Sequence, residues 1–568
     1  MKKWLIALFV CVALLVSAVA TAEIEFKTFP EVPERYADVV DPSNTIKTIY
    51  SGAYRIACGE DRTAVVYLAE GYSQTQGFVL VIPASGMTAE QVLEDGGWKA
   101  VADTYNLLLI VAENDNAWDI DPEGADFAYV NAAIALGGAR DYYRQPKGRI
   151  YMAAYGDAGD LAMQLYKTGK LKDYAGLVTL GDLTVSVEQV ANDAGTELPV
   201  WMFVSALDEN EQGILDYFKA QNDVVDEAFS NAYADEIYFP NQKTTSLLLN
   251  EQPMSQVRLT VTDDAAALNA ERALAVYDFL RLGTREVGYG AKTMRYAHDL
   301  SDWGATVETV EINGVTRFWI QYVPTALRNT AEGKAPLLLV LHGAALDGEY
   351  YAERSEYIKL AEEYGFIIAF PTGSITTGVT SSWNLSTEDD VDFMKALIDT
   401  AKANLPVDES RIYVYGHSMG GFFTQNLIRM LDGTFAAAFG TGCAFGYPDD
   451  ADKEYQFETP ISIMVGDKDT SSPHGIDDEK VRECMNAQIT FNHCGTVDDI
   501  DGAYRMGRFS FYVWENDEHV PMVEYINAED MPHTATLDGG ILMFNWLSQF
   551  NRNEDGSVGY RTGTYDAK

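Results

Sequence analysis

The chain states one pattern twice. Phe78-Val-Leu-Val-Ile-Pro-Ala84 aligns with Leu337-Leu-Leu-Val-Leu-His-Gly343 at an offset of 259. Tyr155-Gly156 aligns with Tyr415-Gly416 at 260, and Pro199–Asp208 with Pro460–Asp469 at 261. The later helical pattern Val276-Tyr-Asp-Phe-Leu280 aligns with Met543-Phe-Asn-Trp-Leu547 at 267. So steady an offset over about 200 residues marks an internal repeat. A length of 568 residues also exceeds what one ordinary core holds. In each copy, short apolar runs such as Leu107–Ala112 and Phe366–Pro371 follow amphipathic helical stretches. That alternation predicts an α/β chain of two tandem domains, each a mostly parallel, doubly wound sheet. Each copy opens on a hairpin pattern, which in the second turns at Asn313-Gly314. The boundaries read as an export signal over 1–22, a first domain over 23–285 and a linker over 286–300. A second domain over 301–555 and a polar tail over 556–568 complete the chain.

Arg411-Ile-Tyr-Val-Tyr-Gly-His-Ser-Met-Gly-Gly421 is a buried-strand pattern running into G-x-S-x-G. Gly416 and Gly420 let the backbone fold tightly around a serine, Ser418, at the tip of a strand-to-helix turn. A serine hydroxyl is a weak nucleophile at neutral pH. It needs a base, a carboxylate that orients the base, and donors for the oxyanion. On such a sheet the acid and then the base follow the serine along the chain. Asp469 stands just past the apolar strand Ile461–Val465. Asp467 competes with it, and the match to Asp208 in the other copy favours Asp469. His533, in Met531-Pro-His-Thr534 before the last helix, is the candidate base. The turn His342-Gly343 offers the amide of Gly343 or Ala344 as one oxyanion donor, and Met419 offers the other. The His342 imidazole reads as structural, and His298, His417, His474, His493 and His519 as having no direct chemical role.

The first copy lacks this equipment. Aligned on Tyr155-Gly156, it carries Ala158 for the serine, Asp160 for the second glycine and Pro83 for His342. No histidine occurs in residues 1–297, so no imidazole base is available there. Only Asp208 persists. The strands remain apolar, so the copy is expected to fold without activity and to pack on the second. A scaffold role is favoured over substrate holding, because no exposed aromatic row is legible. Features common to both copies belong to the fold. Trp118 and Trp383, each followed by a phenylalanine (Phe127, Phe393) on the next helix, are read mainly as packing residues.

Met1-Lys-Lys followed by Trp4–Ala18 has the basic start and apolar run of a secretory signal, with a small-x-small site at Ala20-Thr-Ala22. The mature chain would be secreted, with no membrane segment after cleavage. The formal charge is −44, or −46 without Lys2 and Lys3. Such a surface repels nucleic acid and anionic membranes. Four cysteines remain after cleavage, too few for a disulfide scaffold. Cys484 and Cys494 are near enough in sequence to pair, and Cys443 reads as a buried thiol. Asp119–Gly124 resembles part of a calcium loop but has Val130 where the closing Glu belongs. His474 with Asp477, Asp478 and Glu479 reads as a solvated acidic loop. No cofactor or metal is expected.

Five stretches of the second half, spanning roughly 305–550, carry a family resemblance. They are Tyr322-Val-Pro-Thr, Leu339-Val-Leu-His-Gly343, Asp390-Val-Asp-Phe393, Val407–Gly421 and Glu529-Asp-Met-Pro-His533. This half resembles the secreted polyhydroxybutyrate depolymerase-like and feruloyl esterase-like α/β-hydrolases. The resemblance implies tandem α/β-hydrolase-like domains and a serine esterase acting through Ser418, Asp469 and His533. It also implies a carboxylic ester substrate, either polyester or acyl and phenolic esters on plant polysaccharide. Family members often have Gly before that histidine and Trp soon after it; here Pro532 and Thr534-Ala535 stand instead. A secreted serine peptidase on the same scaffold and a non-catalytic binding protein are the competing readings.

Overall fold

The computed structural model describes residues 24–27, 51–72, 76–138, 147–192, 195–241, 254–285, 294–312, 315–328, 333–377, 380–384, 389–445 and 455–561. The signal segment, Asn313-Gly314, residues 286–293 of the linker and the tail from 562 lie outside them.

Runs of β-branched and other apolar residues form strands buried along their whole length. Examples are Phe78–Ile82, Val200–Val204, Ala335–Leu341 and Ile461–Gly466. Continuous burial of this kind requires cover on both faces of a parallel sheet. The first half supplies a ten-stranded sheet. Its order is Phe26–Lys27, Gly52–Ala57, Thr63–Leu68, Leu108–Val111, Phe78–Ile82, Ile150–Tyr155, Gly176–Leu180, Val200–Val204, Val257–Val261 and Glu236–Tyr238. The second sheet also has ten strands. They run Thr306–Ile312, Val315–Tyr322, Ile367–Pro371, Ala335–Leu341, Val407–His417, Ala437–Thr441, Ile461–Gly466, Pro521–Ala528, Phe509–Glu515 and Gly502–Met506. From Gly52–Ala57 and Thr306–Ile312 onward the two orders agree over nine strands, and Gly502–Met506 is an additional edge strand of the second sheet. Apolar clusters cover both faces of each sheet. The chain is therefore two tandem α/β sheets of one topology.

Both halves carry the expected antiparallel pair, with Phe26–Lys27 added parallel to its outer strand in the first. Both also end on antiparallel edges, which the sequence reading omitted. Glu236–Tyr238 runs against Val257–Val261 in the first. Gly502–Met506, Phe509–Glu515 and Pro521–Ala528 form a meander in the second. Phe509–Glu515 is rich in apolar residues and mixes buried with half-buried positions, a strand pattern outside the strand–helix alternation. Gly502–Met506 has no buried residue, so its pattern resembles a loop.

The boundary is not all linker. Met294–Tyr296 pairs antiparallel with Gly283–Arg285, which ties it to the first half. From it, Arg295 reaches Glu353 of the second half through two N–H···O bonds of 2.8 Å. The His298 amide donates to Glu353 at 3.1 Å, and the Arg149 guanidinium lies 3.9 Å away. Burial alone would raise the Glu353 carboxyl. Arg295, Arg149 and the His298 amide outweigh it and hold the group at about 2. A pKa below the unfolded value stabilises above the ordinary carboxylate range and loses that effect as pH falls toward 2. Glu353→Gln strands a buried guanidinium and should cost about 3–5 kcal/mol. In melts, its deficit should be largest at pH 7 and should shrink by pH 3. An equal deficit at both values would count against this ion pair.

Glu524, on Pro521–Ala528, is buried with Ser462 Oγ donating to it at 2.7 Å. Burial pushes its carboxyl up to about 7, against the Ser462 hydrogen bond. A raised folded pKa contributes stability that is complete below the ordinary carboxylate range and is lost as pH rises through 7. Glu524→Gln keeps the shape and removes the charge. Its stabilising effect should be greater at pH 8.5 than at pH 5 by on the order of 2 kcal/mol. A variant melting below the parent at pH 8.5 would refute this.

Candidate active site

The strand Val407–His417 lies at the sheet centre, between Ala335–Leu341 and Ala437–Thr441. It ends in Ser418 at φ +54°, ψ −120°, and the helix Met419–Met430 begins at once. A left-handed bend is costly for a residue with a side chain. The surrounding packing enforces it. A Cβ on Gly416 would lie 2.1 Å from the Gly420 carbonyl oxygen, and one on Gly420 2.3 Å from that of Leu341. The Ser418 amide donates to the Thr441 carbonyl at 2.8 Å, and its side chain remains half-buried.

Asp469 and His533 meet beside this turn. Asp469 is 3% exposed, and its Oδ1 accepts the Ser471 and Ser472 amides at 2.7 and 2.8 Å. Its Oδ2 accepts a 2.7 Å bond from His533 Nδ1. A carboxylate fixed on one side by amides and on the other by Nδ1–H leaves Nε2 as the basic nitrogen of the ring. Asp467 takes no part: its buried Oδ1 has no hydrogen-bond partner. Gly343 abuts the serine, since a Cβ there would lie 3.3 Å from Ser418 Cβ. Ala344 follows it on the exposed side of the turn.

His342 spans this turn. Its Nδ1 donates to the Gly343 carbonyl at 2.7 Å, and its Nε2 accepts the Gly373 amide at 2.9 Å. Trp383 Nε1 donates to the His342 carbonyl at 2.7 Å. The Trp383 ring stacks on Phe423, centroids 5.0 Å apart, and not on Phe393. In the first half Trp118 Nε1 makes the same bond to the Pro83 carbonyl at 2.9 Å. Both indoles thus brace the same strand end. The counterpart of Phe393 is Tyr129, not Phe127. Arg317 lies over Phe393 and bonds Asp390, as Arg62 lies over Tyr129 and bonds Asp126.

One residue at this site, Gly442, escaped the sequence reading, and His417, read as having no direct chemical role, lies against the base candidate. Gly442, at φ +59°, leaves room for the pair: a Cβ there would stand 2.8 Å from His533 Cε1 and 3.2 Å from Asp469 Oδ2. Its signal was the run Gly440-Thr-Gly-Cys, read only as the surroundings of a thiol. His417 packs against His533 with ring centroids 4.7 Å apart, on the Thr441 hydroxyl at 3.1 Å. Burial drives its pKa well below the usual imidazole value, and the neighbouring His533 adds to this, so His417 is neutral. His298, His493 and His519 instead face the carboxylates of Glu356, Glu458 and Glu515. His474 contacts the Ser472 carbonyl. Cys58, Cys443, Cys484 and Cys494 are all buried free thiols, so Cys484 and Cys494 are not joined. Among the described residues, no group of three or more His, Cys, Asp or Glu is placed to hold a metal.

The first half needs a corrected register. Ile82 pairs with Ala154 as Leu341 pairs with Gly416. The Gly156 amide donates to the Leu180 carbonyl at 2.7 Å, as that of Ser418 does to Thr441. Gly156 has φ +53°. The residue in the serine's place is therefore Gly156, not Ala158, and Asp157 stands for Met419. The Tyr-Gly pair common to both strands had drawn the alignment two residues out of step. Ala266 occupies the place of His533. A Cβ on Gly181 would meet Ala266 at 3.3 Å, as one on Gly442 meets His533. Asp208 caps the helix Glu209–Gln221 instead of orienting a base. Asp157 Oδ1 accepts the Ser85 amide at 2.9 Å, and Ser85 is the counterpart of Ala344.

No family model matches the chain. It is 34% identical over 103 residues to a bifunctional acetylxylan esterase/xylanase of Neocallimastix patriciarum, covering 18% of this chain and 15% of that one. It is 27% identical over 259 residues to poly(3-hydroxyalkanoate) depolymerase C of Paucimonas lemoignei, covering 39% and 59%. The chain thus spans less than two thirds of either relative. An acetyl xylan esterase from Aspergillus awamori aligns in structure at a TM-score of 0.34 and 17% identity, covering 43% of this chain and 99% of that one. In sequence, the chain is similar to esterase- and depolymerase-type α/β-hydrolases, at low identity.

Proposed function

We propose that this protein is a secreted carboxylic ester hydrolase whose second half works through a Ser418–His533–Asp469 relay. The observation that carries this is the 2.7 Å His533–Asp469 bond beside a serine on a strained elbow. In this reading Ser418 Oγ attacks the ester carbonyl while His533 Nε2 takes its proton. The oxyanion falls to the amides of Met419 and of Gly343 or Ala344. Collapse breaks the C–O bond, and His533 returns the proton to the leaving alcohol. Water, deprotonated by His533, then attacks the acyl-enzyme and frees the acid. The substrate class is acyl or phenolic esters on plant polysaccharide, or polyester, and the relatives' names support this range. Turnover of acetyl, feruloyl and hydroxybutyrate aryl esters beside matched amides tests it. Cleavage of amides alone would overturn it in favour of a peptidase. Failure of every substrate together with absence of fluorophosphonate labelling would leave a binding protein.

A further inference from the structure

A cavity of about 520 Å³ opens on the first half, over the place where the second half carries its serine and histidine. Trp118, Gly156, Asp157, Asp160, Asp182 and Ala266 are among its walls. Its size falls in the range of small-ligand clefts. Gly156 and Ala266 hold the positions of Ser418 and His533. A hydroxymethyl and an imidazole have gone, and the space they free is not refilled.

The polarity of this cleft is the reverse of an oxyanion hole. The Ser85 amide, counterpart of the Ala344 donor, is taken by Asp157 Oδ1 at 2.9 Å, and Asp157 Oδ2 takes the Trp118 amide at 3.0 Å. Asp160 accepts the Thr184 and Val185 amides and the Thr184 hydroxyl. Asp182 accepts the Ser205 amide and hydroxyl, each at 2.6 Å. These donors fix the direction of each carboxylate and partly offset its charge. Each oxygen has two lone pairs, so acceptor capacity is left over. Among the described residues, no Lys, Arg or His lines the cavity. An anion or a reacting carbonyl finds no cation there. A hydroxyl-rich ligand finds fixed acceptors beside the exposed or half-buried apolar groups of Ala117, Ile120 and Ala266, over the buried Trp118. That pairing suits the hydroxyl rim and C–H faces of a pyranose.

We propose that this cleft is a non-catalytic binding site for a neutral saccharide, through which the first half holds a polysaccharide near the second. The choice of polysaccharide rests on the ester-hydrolase reading. The test is calorimetric titration of the wild-type full chain with unsubstituted xylohexaose, which contains no ester. Ala266→Trp fills the cleft from the edge over Gly156. Ser205→Trp does so from another wall, in case the first variant misfolds. The expected result is binding by wild type, at least tenfold weaker binding by a folded variant, and unchanged aryl-acetate turnover in that variant. Equal binding by wild type and a folded variant would overturn the site. So would absence of binding to xylohexaose, cellohexaose and mannohexaose. Displacement of the sugar by spermidine or Ca²⁺ at stoichiometric concentration would assign the cleft to cations and overturn the proposal. Sugar binding by a chain that hydrolyses no ester would sink the hydrolase reading and leave this site standing.

Discussion

Ser418→Ala should abolish ester turnover, with kcat/KM falling by roughly 10⁴-fold or more, the scale seen when a relay member is removed. The same substitution should eliminate covalent labelling by a fluorophosphonate. The effect should be total because the chain has no second elbow serine: the first half has Gly156 at that bend. Initial rates on an aryl acetate measure the first effect, and mass spectrometry of labelled peptides locates the second. A probe found on any other residue, or a rate near that of the parent, would remove Ser418 from its assigned role. Folding should be little affected, since alanine differs by one half-buried hydroxyl.

His533→Ala should be nearly as damaging, and Asp469→Asn less so. The asparagine keeps the packing and loses the charge that holds Nδ1–H in place. His417, only 4.7 Å away, is kept neutral by burial and should add no acid limb of its own to the activity profile. A pH–rate profile of the parent, read with the two variants, checks all of this. An active His533→Ala beside a dead His519→Ala would transfer the role to another part of the surface. His519 pairs with Glu515, so that outcome would be hard to reconcile with the geometry.

The repeat and the central strands were legible because they are buried on both faces and must be apolar throughout. Ser418, Asp469 and His533 stood out as a candidate set because their order follows the strand order of the sheet, and the His533–Asp469 bond is consistent with it. Asp469 was separated from Asp467 only by spacing, whereas in the structure its oxygens are engaged on both sides. Three things stayed hidden. At the antiparallel edges, Gly502–Met506 has no buried residue and Glu236–Tyr238 is only three residues long, too little to mark a strand. Gly442 acts by having no side chain, and an absence shows only when its neighbours are in place. The register of the first elbow turned on a Tyr-Gly pair that recurs two residues out of phase, and only hydrogen bonding across the sheet resolves it.

The Asp157 carboxylate, seated on the Ser85 amide, sets the first half apart from the chemistry proposed for the second. To host that reaction it would need a hydroxyl at 156, an imidazole at 266, a carboxylate released from capping at 208 and a vacated amide at 85. Under that reading no one of these changes alone supplies turnover, so none offers selection a foothold, and the cleft is freer to serve other uses than to take up hydrolysis in graded steps.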